Sequence, residues 1–404
     1  MNPEYRNIKL RNACEKELTF NILPFWAGRM KDTENGGFYG RISGENQLIQ
    51  DAPKGGILNA RILWTFSAAY RALGKKEYLD TAQRAKNYLF QHFADKEFGG
   101  TYWEVDSKGN PLDTKKQIYS QAFCIYALSE YFRATGEQES LDFAIELFQL
   151  IEQYSFDPEY KGYFEAYSRD WKLLDDLRLS DKDANEKKTM NTHLHILEAY
   201  TNLYRVWKDA KLSQQLRGLI EVFFEHIVNK KTWHLNLFFD EFWTLKSSDI
   251  SYGHDIECSW LLFEAAEVLG DEEILKKAGE VCINILRASL EGLQPDNSLL
   301  YEMKANGHTD TQRHWWVQAE AVVGLINGYE LTGDKLLAEK AGEVFHYIID
   351  NLVDKQNGEW YWGVYADGSI NKIDDKAGFW KCPYHNSRMC LEVMRRAENI
   401  TAKQ

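Results

Sequence analysis

Gly100-Thr101-Tyr102-Trp103 is one of six copies of a short aromatic element, and its spacing decides the fold. The others are Gly37-Phe38-Tyr39-Gly40, Gly162-Tyr163-Phe164-Glu165, Leu237-Phe238-Phe239-Asp240, Leu299-Leu300-Tyr301-Glu302 and Glu359-Trp360-Tyr361-Trp362. The second aromatic falls at 39, 102, 164, 239, 301 and 361, giving intervals of 63, 62, 75, 62 and 60 residues. A helix-ending glycine keeps step with it, in Leu73-Gly74-Lys75, Thr135-Gly136-Glu137, Leu269-Gly270-Asp271 and Thr332-Gly333-Asp334, with a degenerate copy near Asp209. Two independent markers sharing one period are the signature of an internal repeat.

Between markers each unit reads as two amphipathic helices. The predicted pairs span roughly 56–73 and 76–94, 117–135 and 138–154, 188–207 and 210–229, 251–269 and 272–289, and 311–332 and 335–352. The sixth unit supplies one helix, roughly 383–398, whose missing partner is the N-terminal helix, roughly 4–23. Twelve helices whose first and last members pair predict a closed ring, an all-α (α/α)6 barrel with the aromatic hairpin elements at one mouth. An open solenoid would need polar capping repeats, and none is evident. The long third interval predicts an insertion at Ser168–Lys188, in the manner of a lid or specificity loop. No Pro- or Ser-rich linker interrupts the chain, so residues 1–404 read as a single catalytic domain.

The formal net charge of −13 argues against nucleic acid or an anionic membrane surface as the main partner. Thirteen Trp and 22 Tyr exceed what a core needs and suit a cleft that stacks on flat apolar faces such as sugar rings. The start has no apolar signal region and no stretch is long enough to span a bilayer. The six cysteines lack CxxC spacing and read as reduced thiols, so the expected location is cytoplasmic.

The unusual polar residues gather where the first helix of each pair begins. They are Asn59-Ala60-Arg61, Tyr119-Ser120-Gln121, Asn191-Thr192-His193-Leu194-His195, His254 with Glu257, Arg313-His314-Trp315-Trp316 with Glu320, and Tyr384-His385-Asn386 after Trp380. Six clusters at one phase of the repeat predict one shared cavity. Within Ser251-Tyr252-Gly253-His254-Asp255-Ile256-Glu257, His254 and Glu257 are three apart and share a helical face. Asn191 and His195 are four apart and also share one, so His195 is the functional histidine and His193 packs elsewhere. Trp316 and Glu320 share a face too, and the phase of Trp316 in the repeat favours it as a stacking platform. Arg61 is costly to bury unpaired and should meet a carboxylate or a ligand oxygen. His92, His226, His234, His308 and His346 fall on second helices or loops and read as structural or solvent-facing.

No GxSxG, phosphate-binding loop or dinucleotide fingerprint is present. The i,i+2 histidines are wrong for helical chelation and His254-x-x-Glu257 supplies two ligands at most, so no metal is expected. Glycoside hydrolysis needs two opposed carboxyl groups, whereas this mouth is richer in imidazole. Imidazole can take a proton from a carbon alpha to a carbonyl near neutral pH. Two imidazoles across an enediolate, with Arg61 on its oxygens, would invert a stereocentre. The residue types therefore point to a sugar epimerase or an aldose–ketose isomerase; a glycosidase and a silent sugar-binding barrel are the other classes.

Met190-Asn191-Thr192-His193-Leu194-His195-Ile196-Leu197-Glu198-Ala199-Tyr200, Gly253-His254-Asp255-Ile256-Glu257 and Lys381-Cys382-Pro383-Tyr384-His385-Asn386-Ser387-Arg388-Met389-Cys390 closely resemble the cellobiose 2-epimerases, a branch of the N-acylglucosamine 2-epimerase superfamily. The resemblance runs the whole length and implies an (α/α)6 barrel. It implies cofactor-independent, reversible epimerisation at C2 of the reducing-end glucose or mannose of β-1,4-linked disaccharides: cellobiose, lactose or mannobiose. By that resemblance His254 and His385 are the acid/base pair acting through a cis-enediolate. His195 assists ring opening or holds O1 beside Asn191, and Arg61 meets the enediolate oxygens. Glu257 and Glu320 support an imidazole or hydroxyl, Trp316 and Trp380 stack on the sugars, and Tyr119 joins the substrate-binding set. N-acylglucosamine 2-epimerases and mannose-type isomerases of the same superfamily are the nearest rivals. The expected partner is the disaccharide, with no nucleic acid or membrane, and the chain is expected to be a monomer or weak homo-oligomer.

Overall fold

The fold comes from a computed structural model that describes residues 3–180 and 183–402, with side chains for 9–180 and 183–397. Its helices number twelve once short π-helical continuations are joined to their parents. α1 runs Pro3–Glu17, through a π turn Leu18–Ile22, to Leu23–Gly28. Five pairs follow: α2 (Gly56–Leu73) and α3 (Lys76–Tyr88), α4 (Ile118–Thr135) and α5 (Gln138–Tyr154), α6 (Met190–Val206) and α7 (Ala210–Val222), α8 (Tyr252–Leu269) and α9 (Glu272–Ser289), α10 (Trp315–Thr332) and α11 (Lys335–Tyr347). α12 (Tyr384–Ala402) closes the chain.

The even-numbered helices form an inner ring in which each packs on the next and α12 returns to α2. Every odd-numbered helix lies outside against its sequence partner, and α1 lies against α12. This is the (α/α)6 barrel predicted from the repeat. Its two layers differ in sequence for a physical reason. Inner helices touch neighbours on all sides, and α2 is buried from Gly56 through Ala69. Outer helices bury one stripe, as α9 does with Ile274, Ala278, Val281, Cys282, Ile285 and Leu286. Gly74, Gly136, Gly270 and Gly333 end inner helices at φ +67° to +78°, the left-handed cap their spacing predicted. The degenerate third turn instead stops α6 at Trp207 in extended backbone and starts α7 on an Asp209 side-chain cap.

Two-residue strands sew the units together at the mouth where inner helices begin. The residues entering each inner helix pair antiparallel with those in or just after the next aromatic element: Lys54 with Val105, Lys116 with Tyr167, Lys188 with Phe239, Ile250 with Met303 and Arg313 with Val364. Ile42 and Ala377 make the sixth stitch and join the last unit to the first. Buried lysines reinforce four of these junctions, with Lys54 on Asp32 at 2.7 Å, Lys116 on Asp95 at 2.8 Å, Lys188 on Asp157 at 2.7 Å and Lys376 on Asp354. The insertion predicted at 168–188 is pinned rather than free over its described residues. The Trp171 ring stacks on Tyr154 and its indole N–H donates to the Phe98 carbonyl at 2.9 Å, while Gln117 donates to the Arg178 carbonyl at 2.9 Å. Residues 181 and 182 of the insertion lie outside the described residues.

Candidate active site

All six inner helices begin at the same mouth, so their first two turns converge. The hollow between them measures about 410 Å³ and is lined by Arg61, Tyr119, Asn191, His195, His254, Glu257, Trp316, Trp380 and His385. Nine of the ten residues to which the family resemblance gives a role thus reach one cavity, whereas Asn59, Gln121 and Asn386 of the same clusters bond to Gly55, Thr101 and Glu359 instead. The tenth, Glu320, lies behind His385. The volume is within the range of sites for small ligands. His314, Trp315, Tyr301, Trp362 and Asp374 complete the wall, and Leu179, Ser180 and Asp183 of the insertion reach it as well. Past Asn191, His254 and Tyr301 it continues into a second hollow of about 410 Å³ bordered by Arg178, Lys246, Asp249 and Lys304.

Each histidine is held by a different partner. His385 Nδ1 lies 2.7 Å from Glu320, and His195 Nδ1 lies 2.7 Å from Glu198. A carboxylate only accepts, so both Nδ1 atoms carry the proton and both Nε2 atoms are left as acceptors. His254 Nδ1 instead meets the Ser251 hydroxyl at 2.7 Å, and its ring lies 4.9 Å from that of Trp316. Burial pushes His385 down to about 3, with Glu320 opposing. Burial also lowers His254, whose ring stays partly open to the cavity, and drives His195 well below its usual value. All three imidazoles are therefore neutral near pH 7, the state in which a ring nitrogen can accept a proton.

Beneath them sits a group the sequence reading quoted without assigning. Arg388 is fully buried and donates to Glu198 at 2.6 Å, Glu257 at 2.5 Å and Glu320 at 2.7 Å. Tyr384 donates to Glu198 and accepts from Arg388. A continuous chain of hydrogen bonds thus runs from His195 through Glu198, Arg388 and Glu320 to His385. Three buried carboxylates face one guanidinium, so one of them is under pressure to keep a proton. Burial and the neighbouring Glu320 raise Glu257, while Glu320, against its own burial, is lowered by Arg388 and His385. Glu257, Glu320 and His385 bring ligand atoms within 4.8 Å of one another, a spacing a cation could use, but the Arg388 guanidinium already bonds to both carboxylates.

The expectation for Arg61 needs refinement. Among the described residues it has no carboxylate partner. It donates to the Tyr119 hydroxyl at 2.9 Å and lies over the rings of Phe123 and Tyr384, 4.1 and 4.9 Å from their centroids. Its Nε and the Asn191 Oδ1 are buried without a hydrogen-bond partner, which leaves polar capacity beside the cavity for a ligand. His254 and Glu257 share the cavity as their spacing predicts, but Glu257 bonds to Arg388 and Ser251 takes the imidazole. His193 faces away: its Nδ1 donates to the Thr189 carbonyl at 2.6 Å and its Nε2 accepts the Tyr163 N–H at 2.9 Å. Of the two adjacent tryptophans Trp315 is buried and Trp316 half-buried against His254 and His385.

Glu198 and Arg388 were the functional side chains that sequence reasoning passed over, and the signal was present. Each follows a cavity histidine by three residues, as Glu257 follows His254. On three inner helices the histidine faces the hollow and the charged residue lies one turn deeper, where the three meet.

Comparison with known proteins bears on the family and the fold. The N-acylglucosamine 2-epimerase (GlcNAc 2-epimerase) family model matches residues 37–388. A cellobiose 2-epimerase of Bacteroides fragilis is 56% identical over 95% of this chain and 98% of its own. One from Ruminococcus albus is 42% identical over 96% of this chain and 99% of its own. The solved cellobiose 2-epimerase of Bacillus thermoamylovorans superimposes with a TM-score of 0.93 at 44% identity, covering 96% of this chain and 100% of that one.

Proposed function

The chain belongs to the N-acylglucosamine 2-epimerase family, and on that premise we propose that it epimerises the reducing-end glucose or mannose of β-1,4-linked disaccharides at C2. Cellobiose is the first substrate to test, because the relatives that match over nearly their whole length are cellobiose 2-epimerases. The observation that carries the chemistry is the pair His254 and His385, both lining one hollow and both flanking the ring of Trp316, at 4.9 and 5.5 Å between centroids. After ring opening, one imidazole takes the C2 hydrogen as a proton and the bonding electrons pass into a cis-enediolate. The other imidazole, having taken up a proton from water, delivers it to the opposite face of C2 to give the epimer, and the first imidazole returns its proton to water. The reaction is redox-neutral and atom-balanced and calls for no cofactor.

In this reading Glu320 stabilises the imidazolium that forms at His385. Arg61, held by Tyr119 and with its Nε free, meets the enediolate oxygens together with Asn191 and His195. Trp316 and Trp380 stack on the sugar rings. The test is product analysis by NMR with cellobiose. The expected product is 4-O-β-D-glucosyl-D-mannose. A ketose would indicate an aldose–ketose isomerase using the same enediolate, and free glucose a glycosidase; either as the main product overturns the proposal.

A further inference from the structure

The two imidazoles assigned to proton transfer are held by chemically unlike groups. His385 leans on a carboxylate that can only accept. His254 leans on a hydroxyl that can do either. Ser251 is the N-cap of α8: its Oγ accepts the His254 backbone N–H at 3.4 Å, and it is 2% exposed. A hydroxyl that accepts a backbone N–H keeps its own proton for an acceptor. Among the described residues the recorded contact that could take that proton is His254 Nδ1, at 2.7 Å.

We propose that Ser251 is a positioning residue whose hydroxyl holds neutral His254 with its proton on Nε2, so that His254 and His385 meet a bound sugar in opposite hydrogen-bonding senses. His385 then presents an Nε2 lone pair to the cavity, and His254 presents an Nε2–H. A neutral imidazole N–H of this kind is a suitable donor to a developing enediolate oxygen. The asymmetry persists when His254 is protonated, because Ser251 can turn and accept the Nδ1–H. It offers no negative charge to stabilise the imidazolium, as Glu320 does at His385. Protonated His254 is therefore the stronger acid of the pair and His385 the better base. The proposal adds no bond-breaking step; it fixes which imidazole begins as donor and which as acceptor, and it rests on the 2-epimerase reading of the site.

The neighbouring residues make the arrangement rigid. Asp255 accepts from His234 Nδ1 at 2.7 Å and from the Leu235 N–H at 2.8 Å, which clamps the first turn of α8 from outside. Gly253 lets Trp316 close over that turn, since a Cβ there would lie 2.6 Å from the indole.

The test is 15N NMR of histidine-labelled protein at pH 8 without substrate, with the His254 signals assigned through His254→Gln. Wild-type protein should show His254 protonated on Nε2 and His385 on Nδ1. Ser251→Ala should erase the preference at His254. Ser251→Asp keeps a capping oxygen but can only accept, so it should move the proton to Nδ1. Ser251→Thr should restore the wild-type pattern, and cellobiose turnover should follow it: a kcat loss of roughly tenfold or more in the Ala and Asp variants, with KM changed much less. A His254 proton on Nδ1 in wild-type protein, or a tautomer indifferent to Ser251→Asp, overturns the proposal. Because the tautomer is read without substrate, it is independent of whether cellobiose is the substrate. A wild-type protein with the stated tautomers and no epimerisation would sink the functional reading alone.

Discussion

Glu320→Gln separates the electrostatic role of the buried carboxylate from its shape. The amide is isosteric, so its oxygen can still accept the His385 Nδ1–H, now 2.7 Å away, while its NH2 takes the place of the second oxygen, which accepts the Trp260 indole N–H at 3.0 Å. The negative charge is lost, and with it the acceptor for the Trp260 indole, which lies away from the hollow. A hydrogen bond to a charged partner contributes about 1.5–3 kcal/mol and a neutral one about 0.5–1.5, so the imidazolium formed at His385 loses about 1–2 kcal/mol. Arg388, which shares the same Glu320 oxygen at 2.7 Å, then repels that imidazolium without compensation. At about 1.36 kcal/mol per decade of rate, kcat should fall roughly 10- to 100-fold. KM should change little, because Glu320 lies behind His385 and does not line the hollow. The fold should survive, since removing one of three carboxylates leaves two facing one guanidinium. The assay is steady-state epimerisation of cellobiose beside a thermal melt. A kcat within about threefold of wild type, or a loss carried mainly by KM, refutes the reasoning.

Replacing either proton carrier by alanine, His254→Ala or His385→Ala, should reduce epimerisation at least ~10²-fold while circular dichroism stays native. Gly253→Ala places a Cβ 2.6 Å from Trp316 and 2.8 Å from Val317, so the indole must shift into the hollow. KM for the disaccharide should rise several-fold to roughly tenfold, about 1 kcal/mol or slightly more, measurable by initial rates. Stability should also depend on pH through buried imidazoles. His193 and His385 are lowered by burial to about 3 in the folded chain, against about 6.5 unfolded, so the unfolded chain binds more protons between those values. Their contribution is complete above about pH 6.5 and is lost as pH falls toward 3, at a cost on the order of a few kcal/mol each. Melts from pH 8 to pH 4 should show a falling Tm, with a smaller fall in a His193→Asn variant that removes one titrating ring.

Much of the barrel was legible because its markers are local. A left-handed cap admits glycine at little cost, so Gly74, Gly136, Gly270 and Gly333 print the helix ends directly into the sequence. The aromatic elements do the same for the mouth. What remained hidden depends on contacts across the ring. Nothing within one helix says that Glu198, Glu257 and Glu320 converge on Arg388, because their helices are sequence-distant and only ring closure joins them. The four Lys–Asp junctions were missed for a similar reason, although each aspartate stands five residues before the start of an aromatic element, at 32, 95, 157 and 354. Ser251 falls at the first position of the helix predicted over 251–269, and only the side-chain geometry shows it to be the cap that grips His254.

The account rests on the C2 hydrogen leaving as a proton to an imidazole open to the cavity. Incubation with cellobiose in D2O, followed by NMR and mass spectrometry of the disaccharides, tests it most directly. The prediction is one deuterium at C2 of the reducing-end mannose in the product. An epimer that forms in D2O with its C2 hydrogen unexchanged over many turnovers, or one whose label sits at any other carbon, contradicts it.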